Sequence, residues 1–175
     1  MIKIKDKEFV PFITEAELAS RISALGKQIS EEFKDDQPIL IGVLNGAFMF
    51  LSDLAKVIDI PVEVSFVKMS SYAGTSSTGQ VKELMGLGID IKDRKVIVVE
   101  DIIDTGLSMA HLLDSLEGLE PAQIAVVTLL YKPEALKHDV KMDYVGFEIP
   151  NKFVVGYGLD YDGIGRNLSA IYQLK

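Results

Sequence analysis

A short, fully apolar segment followed by a turn and a helical pattern is the feature that most limits the possible folds. Residues Ile39–Leu44 read ILIGVL. This segment is too short for a helix and apolar at every position, as in a strand covered on both faces. Asn45-Gly46 interrupts it, and a helical pattern resumes over residues 47–58. Because such strand, turn and helix units recur along the chain, the sequence predicts an α/β fold with a parallel sheet and crossover helices.

A long amphipathic helix precedes this unit. Over residues 15–33 the apolar side chains recur at steps of three and four, which places them on one helix face; they are Leu18, Ile22, Leu25, Ile29 and Phe33. Thr14 stands at the N-cap position and Glu17 follows three residues later. This spacing predicts a capping box, in which each of the two residues bonds a backbone N–H of the other.

Further strands are predicted over residues 62–69, 96–99, 124–130, 144–148 and 153–155, with helices between the earlier ones. The segment 70–80, SSYAGTSSTGQ, is small and polar. Its length and composition predict a lid over a binding site rather than a tight turn.

Composition limits the chemistry and the partners. The 175 residues, 48% of them apolar, suffice for one domain with a sizeable core. The 26 acidic against 18 basic residues give a formal charge of −8, which argues against general electrostatic binding to nucleic acid. With no cysteine, disulfides, thiolate nucleophiles and cysteine-based metal sites are excluded. The start, MIKIKDKEFV, lacks the apolar core of a signal peptide, so we expect a soluble cytoplasmic protein without membrane contact.

One strand-to-helix junction carries most of the predicted chemistry. After the strand at 96–99 come Glu100, Asp101 and Asp104, and a helical pattern then starts near Met109. The backbone amides of residues 104–108 would point outward at the helix N-terminus, which is a site for an anion such as phosphate. Carboxylates beside a phosphate would repel it, unless a sugar diol or Mg²⁺ lies between. The sequence therefore favours a ribose 5-phosphate as the ligand.

The same junction carries a resemblance to a known family. The string VIVVEDIIDTGLS, residues 96–108, resembles the phosphoribosyl-pyrophosphate loop of the type I phosphoribosyltransferases. Four more segments resemble the branch of that family that uses hypoxanthine and guanine: 44–46 its pyrophosphate loop, 71–72 the start of its lid, 131–133 its base-recognition turn, and 153–161 with Arg166 its purine-stacking and metal segment.

The resemblance implies a role for each matching residue. Asp104 would be the catalytic acid or base, Lys132 would donate to O6 of a 6-oxopurine, and Phe153 would stack on the base. The implied metal is Mg²⁺, held by Glu100, Asp101 and Asp160. The full set of implied substrate-binding residues is Asn45, Gly46, Ser71, Tyr72, Glu100, Asp101, Asp104, Thr105, Gly106, Leu107, Ser108, Lys132, Phe153, Val154 and Arg166.

The resemblance also implies an architecture and an assembly. The fold would be that of the type I phosphoribosyltransferases, a central, mostly parallel sheet flanked by helices. It would form a single domain, with a core of about 36–140 and a small hood from about 1–13 and 141–175. A homodimer or homotetramer is implied, without a nucleic-acid partner.

The implied activity is the transfer of 5-phosphoribosyl from 5-phospho-α-D-ribose 1-diphosphate to N9 of hypoxanthine and of guanine, giving IMP or GMP and diphosphate. Two alternatives remain open on the sequence. One is a regulatory RNA-binding protein of the same fold that senses phosphoribosyl pyrophosphate, which the acidic charge balance opposes. The other is an enzyme of this fold that takes xanthine or another base.

Overall fold

The computed structural model describes residues 1–70 and 82–175 and contains two sheets. Their strands and helices are β1 (Ile2–Ile4), β2 (Lys7–Ile13), α1 (Glu15–Glu32), β3 (Ile39–Leu44), α2 (Phe48–Val57), β4 (Glu63–Ser70), β5 (Lys82–Met85), β6 (Lys95–Ile103), α3 (Leu107–Glu117), β7 (Gln123–Tyr131), β8 (Tyr144–Glu148), β9 (Val154–Val155) and β10 (Ile171–Leu174). The predicted α/β architecture is confirmed.

The large sheet has six strands in the order β5-β4-β3-β6-β7-β8. The pairs formed by β3, β4, β6, β7 and β8 are parallel, and β5 is an antiparallel edge strand on β4. Apolar clusters cover both faces: α1 and α2 pack on one and α3 on the other. This double coverage is the reason why the central strands are apolar at almost every position.

The predicted capping box of α1 is present. The Glu17 backbone N–H donates to the Thr14 hydroxyl oxygen at 3.2 Å, and the Thr14 backbone N–H donates to Glu17 Oε2 at 2.8 Å. The helix buries its predicted apolar face, and Phe33 is the C-cap residue rather than part of the helix. Local sequence thus fixes where this helix begins and which face it buries.

Two predictions about the central strands were wrong. The strand expected to end at Val99 continues as β6 to Ile103, because β7 pairs with it over its last residues too. A helix was expected between the strands at 62–69 and 96–99, but the described residues of this connection, 82–94, form strand β5 and no helix. After β7, where no further helix was expected, the chain forms the 3₁₀ turn Pro133–Ala135 before β8.

The second sheet joins the two ends of the described chain. Its order is β1-β2-β10-β9, and every pair in it is antiparallel. The sequence reading did not identify β1, β2 or β10 as strands. Strand β8, within the range assigned to a hood, pairs with β7 in the large sheet. The division into a core and a hood stays a prediction.

Two further expectations concern the chain outside these sheets. The lid was predicted over residues 70–80. All of it from residue 71 on, including Ser71 and Tyr72, lies outside the described residues. In the described ranges, 1–70 and 82–175, none of the helices has the length and apolar character needed to cross a bilayer.

We predict that Thr14→Ala lowers the stability of the fold by about 1 kcal/mol, since the substitution removes the hydroxyl that accepts from the first turn of α1. A urea unfolding curve should show a lower midpoint with the same slope. Thr14→Ser, which keeps the acceptor, is the matched control and should stay near the parent. An unchanged midpoint for Thr14→Ala would show that the box contributes nothing.

Candidate active site

The carboxyl ends of three parallel strands meet the C-terminal segment around one cleft of about 360 Å³. Ligands bind at such strand ends in open α/β sheets. The lining comes from the ends of β3 and β6, the residue after β7, and the segment around β9; it consists of Val43, Leu44, Gly46, Glu100, Asp101, Ile102, Asp104, Lys132, Phe153, Val154, Leu159, Asp160 and Arg166. Nine of the sequence-predicted site residues are therefore together in one place.

Glu100 and Asp101 lie within β6, not in a loop after it as expected. Burial, together with the charge of Asp101, raises the pKa of Glu100 well above its usual value. Burial also raises the pKa of Asp101, opposed by hydrogen bonds and by the positive charge of Arg166. One of these bonds runs from the Ile102 backbone N–H to Asp101 Oδ1 at 2.8 Å. Two adjacent carboxylates that resist ionisation form a place where a cation or a diol is favoured.

Asp104 and Lys132 form the ion pair of the cleft. Lys132 Nζ donates to Asp104 Oδ2 at 2.9 Å. The lysine side chain is only 8% exposed, whereas that of Asp104 is 48% exposed. The Lys132 backbone N–H donates to the Ile103 carbonyl at 3.0 Å, which ties the end of β7 to the end of β6. A buried cation and an accessible carboxylate thus present a donor and an acceptor side by side.

A second, smaller cavity of about 110 Å³ adjoins this cleft at the start of α3. It is lined by Glu100 and the run from Ile102 to Met109, so Thr105, Gly106, Leu107 and Ser108 all lie on it. Helix α3 begins at Leu107, two residues before the helical pattern seen in the sequence. The free amides of a helix start next to two hydroxyl side chains make this cavity suited to a phosphate group.

Gly106 is required for a reason that the sequence reading missed. Its φ is +82°, in the left-handed region, and an added Cβ would lie 3.0 Å from the His138 carbonyl oxygen. The segment after β7 therefore packs behind the turn, since the Lys137 and His138 backbone N–H groups also donate to the Thr105 carbonyl. The glycine is needed by the chain's own packing, whether or not a phosphate approaches it.

Gly46 brings the first loop into the cleft. A Cβ on Gly46 would overlap the Asp101 carboxylate, and one on Gly158 would overlap the Gly46 carbonyl. Three chain segments can approach this closely only because two glycines face each other. The peptide bond between Leu44 and Asn45 is cis. Among the described residues, the lining of the cleft includes Gly46 but not the exposed Asn45.

Arg166 is held within its own segment. Its guanidinium lies 2.6 Å from Asp160 Oδ1 and donates to the Gly158 carbonyl at 2.7 Å. Asp160 also accepts from the Gly163 backbone N–H at 2.6 Å. Both side chains are largely shielded, with 29% and 26% exposed. The positive charge that we expect at the diphosphate end is therefore present in the cleft but paired.

Phe153 and Val154 form the apolar wall of the cleft. Val154 is buried in β9, whereas the ring of Phe153 is 42% exposed. Phe153 packs against Tyr161 with 5.8 Å between ring centroids and an angle of 84°. An exposed aromatic face beside a polar pair is a suitable surface for a flat heterocycle.

Four lining residues were not among the predicted site residues: Val43, Leu44, Ile102 and Leu159. Val43 lies outside every segment that carries the family resemblance, whereas the other three lie inside such segments. Their apolar side chains carry no chemical signal on their own, and only the packing of the strands and of the C-terminal segment places them in the cleft. The glycines at 156 and 158 were the sequence signal for the tight packing of the C-terminal segment.

The predicted magnesium ligands are only partly brought together. Glu100 and Asp101 are adjacent, and Asp160 lies in the same cleft but bonds Arg166. Within the described residues, no group of three or more acidic or histidine side chains could hold a metal ion by itself. The donor set consists of oxygens, which suits Mg²⁺ when a substrate supplies further ligands. Burial disfavours the ionised forms of Glu100 and Asp101, and a cation bound beside them would offset this penalty.

A comparison with known families agrees with this geometry. Residues 14–162 match the model of the phosphoribosyl transferase domain. Because this match spans most of the chain, the chain belongs to the phosphoribosyltransferase family.

The similar proteins carry names that are more specific than the name of this family. The chain is 46% identical over 159 residues to the hypoxanthine phosphoribosyltransferase of Salmonella typhimurium, covering 89% of each chain. It is 43% identical over 164 residues to the hypoxanthine-guanine phosphoribosyltransferase of Bacillus subtilis, covering 93% of this chain and 91% of that one. A solved variant of the Trypanosoma cruzi hypoxanthine phosphoribosyltransferase, complexed with the product IMP, superposes with a TM-score of 0.90 at 36% identity, covering 100% and 94%.

We predict that Glu100→Gln stabilises the protein in the absence of ligands, because burial forces Glu100 to take up a proton on folding, whereas glutamine is already neutral. The raised pKa means that the folded state of Glu100 keeps its proton where the unfolded chain has lost it. Its contribution to stability is thus present at acidic pH and is lost as the pH rises through the folded pKa. The melting temperature of Glu100→Gln should exceed that of the parent by about 2 to 4 °C near neutral pH.

The difference in melting temperature should shrink as the pH is lowered toward 5. Glu134→Gln, at an exposed position in the 3₁₀ turn, is the matched control and should show no such trend. If the parent melts at a higher temperature than Glu100→Gln at every pH, the conclusion that burial disfavours the ionised form of Glu100 is contradicted.

Proposed function

We propose that the chain is a purine-salvage enzyme that transfers the 5-phosphoribosyl group from 5-phospho-α-D-ribose 1-diphosphate to N9 of hypoxanthine and of guanine. The products are IMP or GMP and diphosphate. The observation that carries this proposal is the Lys132 and Asp104 pair, whose donor and acceptor atoms are 2.9 Å apart at the edge of a cleft with an exposed aromatic wall. The names of the similar proteins support the same activity.

The pair matches one edge of a 6-oxopurine. On that edge the O6 acceptor and N7 are neighbours, and N7 carries a proton in the tautomer whose N9 is free to react. Lys132 would donate to O6, since an ammonium group only donates. Asp104 would accept from the N7 proton. Adenine has an amino group in place of O6, so its donor would face the donor of Lys132.

The proposed reaction moves one proton and exchanges one bond. The bond between C1 of the ribose and the diphosphate oxygen breaks while N9 of the base bonds to C1. Positive charge develops on the sugar and on the base as this happens, and the leaving group takes the electron pair. Asp104 takes the N7 proton, so the product purine is neutral. Phe153 and Val154 hold the base flat against the apolar wall.

The acidic pair and the start of α3 would hold the sugar phosphate. The amides and hydroxyls of Thr105 and Ser108, with the Gly106 and Leu107 amides, would bind the 5-phosphate in the smaller cavity. Glu100 and Asp101 would accept from the ribose hydroxyls. In this arrangement the sugar hydroxyls, not the phosphate oxygens, would face the carboxylates, which reduces the electrostatic conflict apparent from the sequence.

The diphosphate end combines backbone, cation and metal contributions. Asn45 and Gly46 would present amides to the leaving group, and Arg166 would exchange part of its bond with Asp160 for the diphosphate oxygens. Bound Mg²⁺ would supply positive charge that stabilises the leaving diphosphate, with Glu100, Asp101 and Asp160 as its protein ligands. Because Asn45 and Leu107 supply no positive charge to the bound anions, we propose a strong dependence on Mg²⁺.

Two further parts of the proposal concern assembly and location. Phe48, Val64 and Phe66 are exposed apolar side chains on α2 and β4. An added Cβ on Gly42 would lie close to both Leu51 of α2 and Phe66 of β4, so these two elements face each other. Such a surface supports a homodimer or homotetramer. We also propose a cytoplasmic location. The expected lid, with Ser71 and Tyr72, lies outside the described residues and stays a prediction from the sequence.

The alternatives receive less support. The similar proteins are named for phosphoribosyl transfer to hypoxanthine or guanine, and none reported above is an RNA-binding regulator or an enzyme for xanthine. Incubation with Mg²⁺, phosphoribosyl pyrophosphate and one base at a time, followed by ultraviolet absorbance, tests the proposal. We expect nucleotide with hypoxanthine and guanine and none with adenine. Absence of product with both 6-oxopurines would refute the proposed function.

We predict that Asp104→Asn lowers turnover by roughly 10²- to 10⁴-fold, the usual effect of removing a general base. The amide keeps the size of the side chain but cannot take the N7 proton. Steady-state kinetics at saturating substrates gives the turnover. Asp139→Asn, at an exposed position further along the chain, is the control and should retain normal turnover. Near-normal turnover in Asp104→Asn would disprove its role as base.

We predict that Lys132→Gln lowers kcat/KM for hypoxanthine by roughly 10- to 100-fold, because a hydrogen bond to a charged group contributes about 1.5 to 3 kcal/mol. Discrimination against adenine should weaken at the same time, since an amide offers an acceptor as well as donors. Competition assays with both bases measure this ratio. Lys137→Gln, an exposed lysine of the same segment, should leave it unchanged. Unaltered base selection in Lys132→Gln would show that this lysine does not recognise O6.

A further inference from the structure

A lysine of the N-terminal hairpin lies against the aromatic wall of the cleft. Lys7 Nζ is 4.6 Å from the ring centroid of Tyr161 and 5.6 Å from that of Phe153. Both distances are within the range in which an ammonium group is attracted to an aromatic ring. Lys7 begins β2, and Phe9, two residues on, points to the same side of the strand.

The rings around Lys7 form one connected cluster, which consists of Phe9, Phe153 and Tyr161. The buried Phe9 lies 6.2 Å from Phe153 and 6.3 Å from Tyr161, between ring centroids. Phe153 itself precedes the two-residue strand β9 and is 42% exposed. Its ring therefore depends for its orientation on these neighbours more than on its own strand.

The position of Tyr161 is itself fixed by the turn that precedes Lys7. The Tyr161 hydroxyl donates to Asp6 Oδ1 at 2.9 Å. Lys5, at the tip of the same turn, forms an ion pair with Asp162. The three consecutive residues 5–7 thus all contact the segment from 153 to 162.

We infer that Lys7 is a positioning residue for purine stacking, acting through the rings of Phe153 and Tyr161 without touching the reacting atoms. Its charge holds the edge-to-face arrangement of these two rings, so that Phe153 presents a fixed face to the base. This inference rests on the proposed function, because it assigns the role to the same purine subsite. The diphosphate and phosphate ends of the cleft have no ring in the cluster, so their affinity should not depend on Lys7.

The test compares substrate dependence in Lys7→Met, which keeps the length of the side chain and removes the charge. We expect KM for hypoxanthine to rise by about 2- to 5-fold, the effect of losing one cation–π contact. We expect kcat and KM for phosphoribosyl pyrophosphate to stay at the parent values. Lys7→Arg keeps a cation over the rings and should restore KM for hypoxanthine. Lys3→Met, an exposed lysine on β1, is the matched control and should behave as the parent.

A double variant tests whether the effect passes through the ring. In a Phe153→Leu background, adding Lys7→Met should not raise KM for hypoxanthine any further, because the ring that it positions is gone. The inference is overturned if Lys7→Met leaves KM for hypoxanthine unchanged, raises KM for both substrates equally, or is not rescued by Lys7→Arg. Failure of the parent protein to form IMP would instead refute the proposed function, so the two failures are distinguishable.

Discussion

The structure depends most on the close approach of three chain segments at Gly46. The loop after β3, the acidic end of β6 and the tail around Gly158 meet where only hydrogen atoms fit between them. This approach draws Asp101 towards the first loop and keeps Asp160 and Arg166 in the same cleft. Without it, the carboxylates of β6 and the segment that carries Asp160 and Arg166 would belong to separate surfaces. Backbone packing therefore holds the site together, and it fixes the positions from which the charged side chains extend.

The distribution of charge in the cleft follows from this backbone packing. The chain as a whole is acidic, with a formal charge of −8, although its proposed substrate is an anion. The cleft reconciles the two by placing its cations, Lys132 and Arg166, against carboxylates. Each of these cations is paired in the structure. In the proposed reaction Arg166 would exchange a carboxylate for diphosphate oxygens, so that no bare charge is buried. Under the proposed function, specificity for the base would come from the geometry of the Lys132 and Asp104 pair rather than from an excess of positive charge.

Sequence patterns predicted the parts of the fold that depend on local interactions. The capping box of α1, the apolar strand β3 and the strand β8 agree with the pattern, because spacing and capping residues act within a few positions. The end of β6 was misplaced, since its acidic residues stay in the sheet only through pairing with β7. Strand β10 was missed for the same reason: its pairing with β2 joins residues more than 150 positions apart. The sequence also singled out Asp104 and Lys132 separately, but only the structure pairs them.

The order of strands in the small sheet bears on how the protein is made. Strand β10 lies between β2 and β9, so the first hairpin of the chain has no permanent partner until residues 171–174 have been synthesised. A growing chain on the ribosome can assemble the parallel sheet early, but β9, which follows Phe153, gains its pairing partner only once β10 has been synthesised. A chain cut short before residue 171 would thus keep much of its core and still lack the strand that joins β2 to β9 beside Phe153.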